Sequence, residues 1–412
     1  MTQPERSCLL DVLEARKLSL WRRVLLACAG VAVGAAIWLP VVHLFFTPGV
    51  DDYLSADAVS PKAKELSTYH LRLWTNPELR KEEIGKMRSR NREWDFMGRT
   101  FFALALANMA LREPSLKAQY LDPIDRIIEE TIRLEADNGI YFFLLDYAKD
   151  REFVHKPARS IFVDGEIALM LGARRLVEEK PEYKAMLPER VETMLDCMRN
   201  GPVLCAESYP DECWMFCNTV ALAAIKISDV LDGTDHSEFF REWVANAKQR
   251  LVDPETGMLA SSFSLKGRFI DGPEGSTIWM AAHCLSIIDE RFARDQYERG
   301  KKELAVELAG FGWAREWPRS CVGPEDVDSG PVIPVMEASS GSSGLALMGS
   351  SAFGDRDYFG KLCTSLNFAG FPVERDGALK YCASNQVGDA VMLYAMVLGP
   401  LWQKVKQLDS DR

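Results

Sequence analysis

The 412-residue sequence is poor in the residues on which the simplest functional assignments depend. It has five histidines, His43, His70, His155, His236 and His283, and no two are close neighbours, so a histidine-rich metal site has no sequence basis. Its ten cysteines include no CxxC pair, and a chain of this length needs no disulfide scaffold. A basic surplus is also missing. The formal charge of -11 and a pI near 5.2 exclude a nucleic-acid binder that works through a broad basic face. Nothing calls for a metal or a cofactor, and oligomeric state leaves no mark on the sequence.

One long apolar run is present. Residues 24–46 contain no acid or base except His43 and are long enough to cross a hydrocarbon core of ~30 Å as a helix. Arg16, Lys17, Arg22 and Arg23 precede or open it, which places residues 1–23 in the cytoplasm and the rest outside it. The alternative is a cleaved signal peptide, but the run exceeds a usual h-region and no small-x-small site follows. The expectation is an uncleaved single-pass anchor in an inner or plasma membrane, with the C-terminal part periplasmic. Residues 47–61 read as a short linker with Pro48, Gly49 and Pro61.

From residue 62 to 412 the pattern is helical almost throughout. Strongly apolar segments recur at 96–111, 161–177, 213–231, 276–288, 332–353 and 388–401, separated by amphipathic stretches such as 182–199 and 293–309. A helix apolar all round belongs inside a protein, and one with a polar face belongs outside it. Six alternations predict two concentric rings, an all-α (α/α)6 barrel in one domain; an α-solenoid is the competitor. The segment 261–270 alternates and predicts a short β-hairpin. The run Ala338–Gly344 reads either as a flexible linker or as small residues that let the fifth inner helix pack closely.

In such a barrel the N-terminal ends of the inner helices gather at one mouth. Reading each entrance gives Asp95 with Arg99, Asp164 with Glu166, Asp211 with Glu212, then Glu274, then Asp326 with Asp328, then Asn385 with Asp389. Capping and dipole effects alone account for many carboxylates at helix starts. Asp95 and Arg99, spaced i, i+4, form either a structural salt bridge or an acid whose ionisation the arginine fixes. Several carboxylates round an apolar cavity act as acid and base when their surroundings separate their pKa values. Cys213 and Cys217, four apart, are expected on one helix face, either as small buried hydrophobes or, with Cys205, as reactive or bridged thiols.

The residues Pro210-Asp211, Cys217-Asn218-Thr219-Val220-Ala221, Gly233-Thr234-Asp235, Trp243, Asp253-Pro254-Glu255, Gly257, Thr277 and Trp279 together resemble the linalool dehydratase/isomerase family. Weaker similarity runs through Gly165–Gly172 and Leu379-Lys380-Tyr381. The resemblance implies an (α/α)6 barrel with its pocket at the inner-helix entrances. It also implies cofactor-free dehydration and isomerisation of a monoterpene alcohol outside the cytoplasm, with protons moved by cysteine, histidine, aspartate and tyrosine. Of that set Cys217 is retained. Ser208 stands at the first family cysteine, Glu166 at the histidine, Gly275 with Glu274 near the tyrosine, and Asp95 is the candidate for the aspartate. The set has become rich in carboxylates.

The reading that follows is a membrane-anchored lyase or isomerase acting on a small apolar, hydroxyl-bearing, terpenoid- or lipid-like substrate. Glu166 and Asp95 are the expected acid and base, Glu274 and Asp211 assist, and Cys217 lines the pocket. Arg99, Tyr209, Trp214, Trp279, Asp328 and Asp389 are expected to contact substrate. Two rivals remain. A carbohydrate-active barrel would use paired carboxylates with Trp214, Trp279, Trp313 and Trp317 as open platforms. A non-catalytic tethered scaffold would leave its entrance carboxylates exposed.

Overall fold

A computed structural model describes residues 20–412 except 322 and 325, and the side chain of Asp326 also lies outside the description. The predicted basic segment therefore falls largely outside the described residues. The first helix among the described residues, α1 (Leu20–Val42), has no buried residue, and it is long and apolar enough to cross a membrane. It starts before the apolar run and stops four residues short of the run's end, giving way to a 3-10 turn at His43–Phe45.

Next come α2 (Pro61–Thr75), α3 (Pro77–Arg90), α4 (Arg92–Arg112), α5 (Lys117–Asn138), α6 (Ile161–Val177), α7 (Pro181–Asn200) and α8 (Met215–Asp232). The chain continues through α9 (Ser237–Arg250), α10 (Gly275–Leu285), α11 (Glu290–Leu304), α12 (Ser340–Ala352), α13 (Arg356–Ala369), α14 (Gln386–Val397) and α15 (Pro400–Ser410). Prolines open α2, α3, α7 and α15, where a missing N–H costs nothing. Asn91 caps α4 by accepting from the Glu93 and Trp94 amides, and Gly233, at φ 75°, ends α8 in the left-handed conformation a side chain would resist.

Helices α4, α6, α8, α10, α12 and α14 pack in that order, and α14 returns against α4, which closes the ring. These six are the segments predicted to be inner. Each is buried nearly all round, so its stability comes from packing on every side. Outside them, α5, α7, α11 and α13 each pack on an inner helix, α9 buries Phe239, Phe240, Trp243, Val244 and Ala247, and α2 with α3 fills an outer position beside α14 and α4. That position is filled from the N-terminal side of the ring, so the amphipathic stretches after each inner segment did not reveal it.

The far end is closed. Helix α15 packs across α4, α6 and α8. Its Leu401 amide donates to Asn108 Oδ1 at 3.1 Å, and its buried Trp402 stacks on His283 at 4.6 Å. The inner ring is therefore stoppered at the end opposite the inner-helix starts.

Among the described residues, ten short strands decorate the connections. β1 (Cys213–Trp214), β2 (Ser262–Phe263) and β3 (Phe269–Asp271) form an antiparallel sheet, so the expected hairpin exists with a third strand beside it. β4 (Ala305–Leu308), β5 (Phe311–Ala314), β6 (Asp326–Val327), β7 (Gly330–Ile333) and β8 (Ala338–Ser339) form a sheet ordered 4-5-8-7-6. β9 (Pro372–Arg375) pairs with β10 (Ala378–Tyr381).

Two expectations change here. Cys213 lies in β1 and not on the helix that carries Cys217, so the two thiols do not share a helix face. The fifth inner helix begins at Ser340, and residues 332–339 before it are strand and turn. The Ser/Gly run opens that helix and serves close packing. A Cβ on Gly275 would lie 1.9 Å from Ser342 Oγ and 2.5 Å from the Arg315 carbonyl oxygen.

Candidate active site

The stretch Tyr209-Pro210-Asp211-Glu212 is a turn in which the Glu212 amide donates back to the Tyr209 carbonyl at 2.9 Å. Proline at its second position and a positive φ of 54° at Asp211 suit a type II turn. Asp211 is thereby turned to solvent, where its Oδ1 accepts from the Leu265 amide at 3.2 Å. The structure does not bring it to the mouth. Its neighbour Glu212 is buried instead, accepting from Tyr147 at 3.1 Å and from the Trp214 indole at 2.5 Å.

Tyr209 is buried, stacks on Tyr147 at 4.6 Å, accepts from the Leu145 amide at 3.0 Å and donates to Glu93. Glu93 belongs to the first turn of α4 and was absent from the expected set. Burial pushes its carboxyl up to about 7; the Tyr209 hydroxyl opposes that, and Asp328 and Glu212 add to it. Helical spacing explains its position once the inward face of α4 is known. At 100° per residue, Glu93, Met97 and Thr100 form one stripe of α4, while Asp95 and Arg99 fall about 160° and about 120° away from Glu93.

Asp95 and Arg99 accordingly face the outer layer. Asp95 accepts from Arg99 at 2.8 Å and from Arg88 at 3.1 Å. Arg99 also reaches Glu130 on α5 at 3.2 Å and packs over Trp74 of α2. Of the two readings offered for this pair, the structural salt bridge is the one that the contacts describe, and Asp95 does not meet Glu166. Asp164 faces outward in the same way, toward Arg159 and Arg190.

Glu166, 200° further round α6 than Asp164, turns inward. It is 1% exposed, and its Oε1 has no hydrogen-bond partner. Burial pushes its carboxyl up to about 8. The Thr100 hydroxyl lies near enough to temper that rise, yet outside good hydrogen-bond geometry. The thiol of Cys217 on α8 feels the charges of both Glu166 and Glu93, and Cys284 on α10 feels that of Glu166. Burial holds both thiols well above their ordinary range, so at neutral pH they are thiols and not thiolates. Cys205, Cys213 and Cys217 are all unbridged.

The opposite rim holds Glu274, just before α10, and Glu316, just after β5; both are buried. Glu316 accepts from the Ser276 amide at 3.0 Å and from the Ser339 hydroxyl at 2.5 Å. The Glu274 carboxyl is raised well above its usual range, first by burial and then by Glu316, Asp271 and Asp328. Asp328, in the β6–β7 turn, acts on Glu93 and Glu274 alike, and its carbonyl accepts from the Trp94 indole at 3.1 Å. Glu316 gave no sequence signal, because its partners come from three separate segments.

Trp279 is fully buried, with its indole donating to Ser342 at 3.1 Å and its face toward Tyr297 of α11; it does not reach the mouth. Asp389 is buried at the start of α14, with Oδ1 unpartnered, and Ser384, Lys380 and Tyr381 beside it. Burial raises its carboxyl to about 7. Deeper in the ring, His283 Nε2 and the Tyr394 hydroxyl are 2.8 Å apart, and burial lowers His283 to about 3, keeping it neutral. Among the described residues no group of three His, Cys, Asp or Glu is arranged to hold a metal ion. Two clefts of about 250 and 460 Å³ share Arg159 in their lining; the first also takes in Ile161 and Asp164 at the start of α6, and neither is lined by Glu93, Glu166, Glu274 or Glu316.

Solved structures with a similar course include the unsaturated glucuronyl hydrolase of Bacillus sp. GL1 (13% identical, 72% of this chain and 84% of that one, TM-score 0.46). An α-mannanase of Bacteroides thetaiotaomicron also matches (11% identical, 76% and 87%, TM-score 0.48). The sequence itself matches the family described as linalool dehydratase/isomerase over residues 168–387, more than half of the chain, a span that carries Cys217, Glu274 and Glu316. The chain belongs to the linalool dehydratase/isomerase family.

Proposed function

We propose that the protein is a membrane-tethered lyase or isomerase that removes or migrates a hydroxyl on an apolar, terpenoid- or lipid-like alcohol by acid–base catalysis. The observation that carries this reading is Glu166: a buried carboxyl, neutral at pH 7, with an unpartnered oxygen inside the inner ring. A neutral carboxylic acid in an apolar site is a proton donor. Glu166 gives its proton to the substrate hydroxyl, the C–O bond breaks and water leaves. Glu93, ionised above pH 7 and oriented by Tyr209, takes a proton from the adjacent carbon, which forms the double bond. Returning the water at another carbon completes an isomerisation. Cys217, between the two acids, lines the substrate space as a neutral thiol.

Two details favour this over the rivals. Trp279 and Trp313, offered as sugar platforms, are buried, and the Trp214 indole is held by Glu212. A scaffold would leave its entrance acids in water, whereas Glu166, Glu274 and Glu316 are withdrawn from it. The test is turnover of a panel of terpenoid alcohols and glycans by the wild type and Glu166→Gln. Dehydration of an alcohol that falls at least ~100-fold in a folded variant supports the reading. Unchanged turnover removes Glu166 from the chemistry, and glycan cleavage replaces the reading with the carbohydrate one.

A further inference from the structure

Large apolar side chains gather where α1 meets the body of the protein. Leu44 and Phe45 lie in the 3-10 turn that follows α1, and Phe45 is 74% exposed. Beside them stands the β4–β5 turn, with Leu308 64% exposed and Gly310 pressed against the His43 ring. Phe368 at the end of α13, Phe371 at 66% exposure and Val373 on β9 continue the patch. The parts are locked together. Phe46 meets Phe368 at 5.0 Å, Phe368 meets Phe311 at 5.4 Å, and Asn367 Nδ2 donates to the Phe46 carbonyl at 3.1 Å. The flanking acids Glu307 and Glu374 are neutralised by Lys361 and Lys62.

We propose that Leu44, Phe45, Leu308, Phe368, Phe371 and Val373 form a collar that beds the barrel into the surface layer of the same bilayer that α1 crosses. This rests on the reading of α1 as a membrane anchor. Exposed apolar surface of this kind marks an interaction site, and here its occupant is set by continuity. The chain between Val42 and Phe46 is too short, and too firmly bonded to α13, to let the patch leave the membrane surface. Outer helices run opposite to inner ones, so the end of α13 lies at the level of the barrel mouth. The collar thus holds the mouth beside the lipid, where an apolar alcohol concentrates.

The test uses the full chain in lipid nanodiscs with Cys8, Cys28, Cys321 and Cys382 changed to Ser. A nitroxide label is placed singly through Val33→Cys, Leu308→Cys, Phe371→Cys or Ser410→Cys. Ser410 is exposed at the end of α15, on the far side of the barrel, and serves as the aqueous reference. The collar predicts that labels at 308 and 371 are several-fold more accessible to oxygen than to a water-soluble nickel chelate, relative to 410. Accessibility at 308 and 371 equal to that at 410 overturns the collar. If the label at 33 is oxygen-accessible in that case, the anchor stands without it; if 33 is also water-accessible, the anchor reading fails as well. Spin–spin broadening at 371 assigns the patch to a second copy and overturns the lipid assignment.

Discussion

The hydroxyl of Tyr209 donates to Glu93 across the rim of the barrel, tying the loop before α8 to the first turn of α4. The bond favours the charged carboxylate and so opposes the upward push that burial, Asp328 and Glu212 give to Glu93. Changing Tyr209 to Phe removes the opposing effect, so Glu93 should ionise at higher pH than about 7. With Glu93 as the base, the acid limb of the pH–rate profile moves upward and turnover at pH 7 falls more than turnover at pH 8. A profile whose acid limb stays in place assigns the base to another residue.

The ring was legible because burial on all sides erases the polar face of a helix. That is why 96–111, 161–177 and 388–401 stood out, and why the charged stretches between them did not share their pattern. The direction of the cavity was not legible, for the same reason. In a helix apolar all round, nothing in the sequence says whether Asp95 or Glu93 points inward, and the two differ by 200°. Asp164 and Glu166 pose the same choice, and there the inward residue was in the expected set. Glu316 was beyond reach because strand pairing, not helical spacing, carries it to the rim.

Glu166 also sets a dependence of stability on pH. Its carboxyl sits near 4.5 when unfolded and at about 8 when folded, so between these values the native state holds one more proton than the unfolded state. This group's contribution therefore weakens as pH rises from 4.5 to 8, by ~1.4 kcal/mol per pH unit at most, and is level above 8. Glu166→Gln has no such proton. Chemical denaturation across pH 5–9 should show the variant gaining on the wild type as pH rises; parallel curves would place the carboxyl in a solvated setting.

Asp95 has the opposite character, a charge kept for structure. Asp95→Ala leaves Arg99, only 3% exposed, with the partly buried Glu130 as its remaining acid. Losing one partner of a buried pair costs ~3–5 kcal/mol, and the loss should appear as a lower denaturation midpoint. Dehydration per folded molecule should stay within about twofold of wild type. A variant that keeps its stability and loses activity would return Asp95 to the catalytic set.

Gly275 tests how tightly the ring is closed. It begins α10 where that helix crosses the start of α12, and its amide donates to the Glu316 carbonyl at 2.7 Å. A methyl group there would meet the Ser342 hydroxyl, which can rotate away, and also the Ser342 Cβ at 2.7 Å and the Arg315 carbonyl, which cannot. Gly275→Ala should therefore destabilise by ~1–3 kcal/mol, and removing the hydroxyl in the double variant with Ser342→Ala should recover only part of it. Denaturation of the two single variants and the double variant measures that coupling. Full recovery in the double variant would mean that the hydroxyl alone, and not the Arg315 backbone just after β5, sets the spacing between the fourth and fifth inner helices.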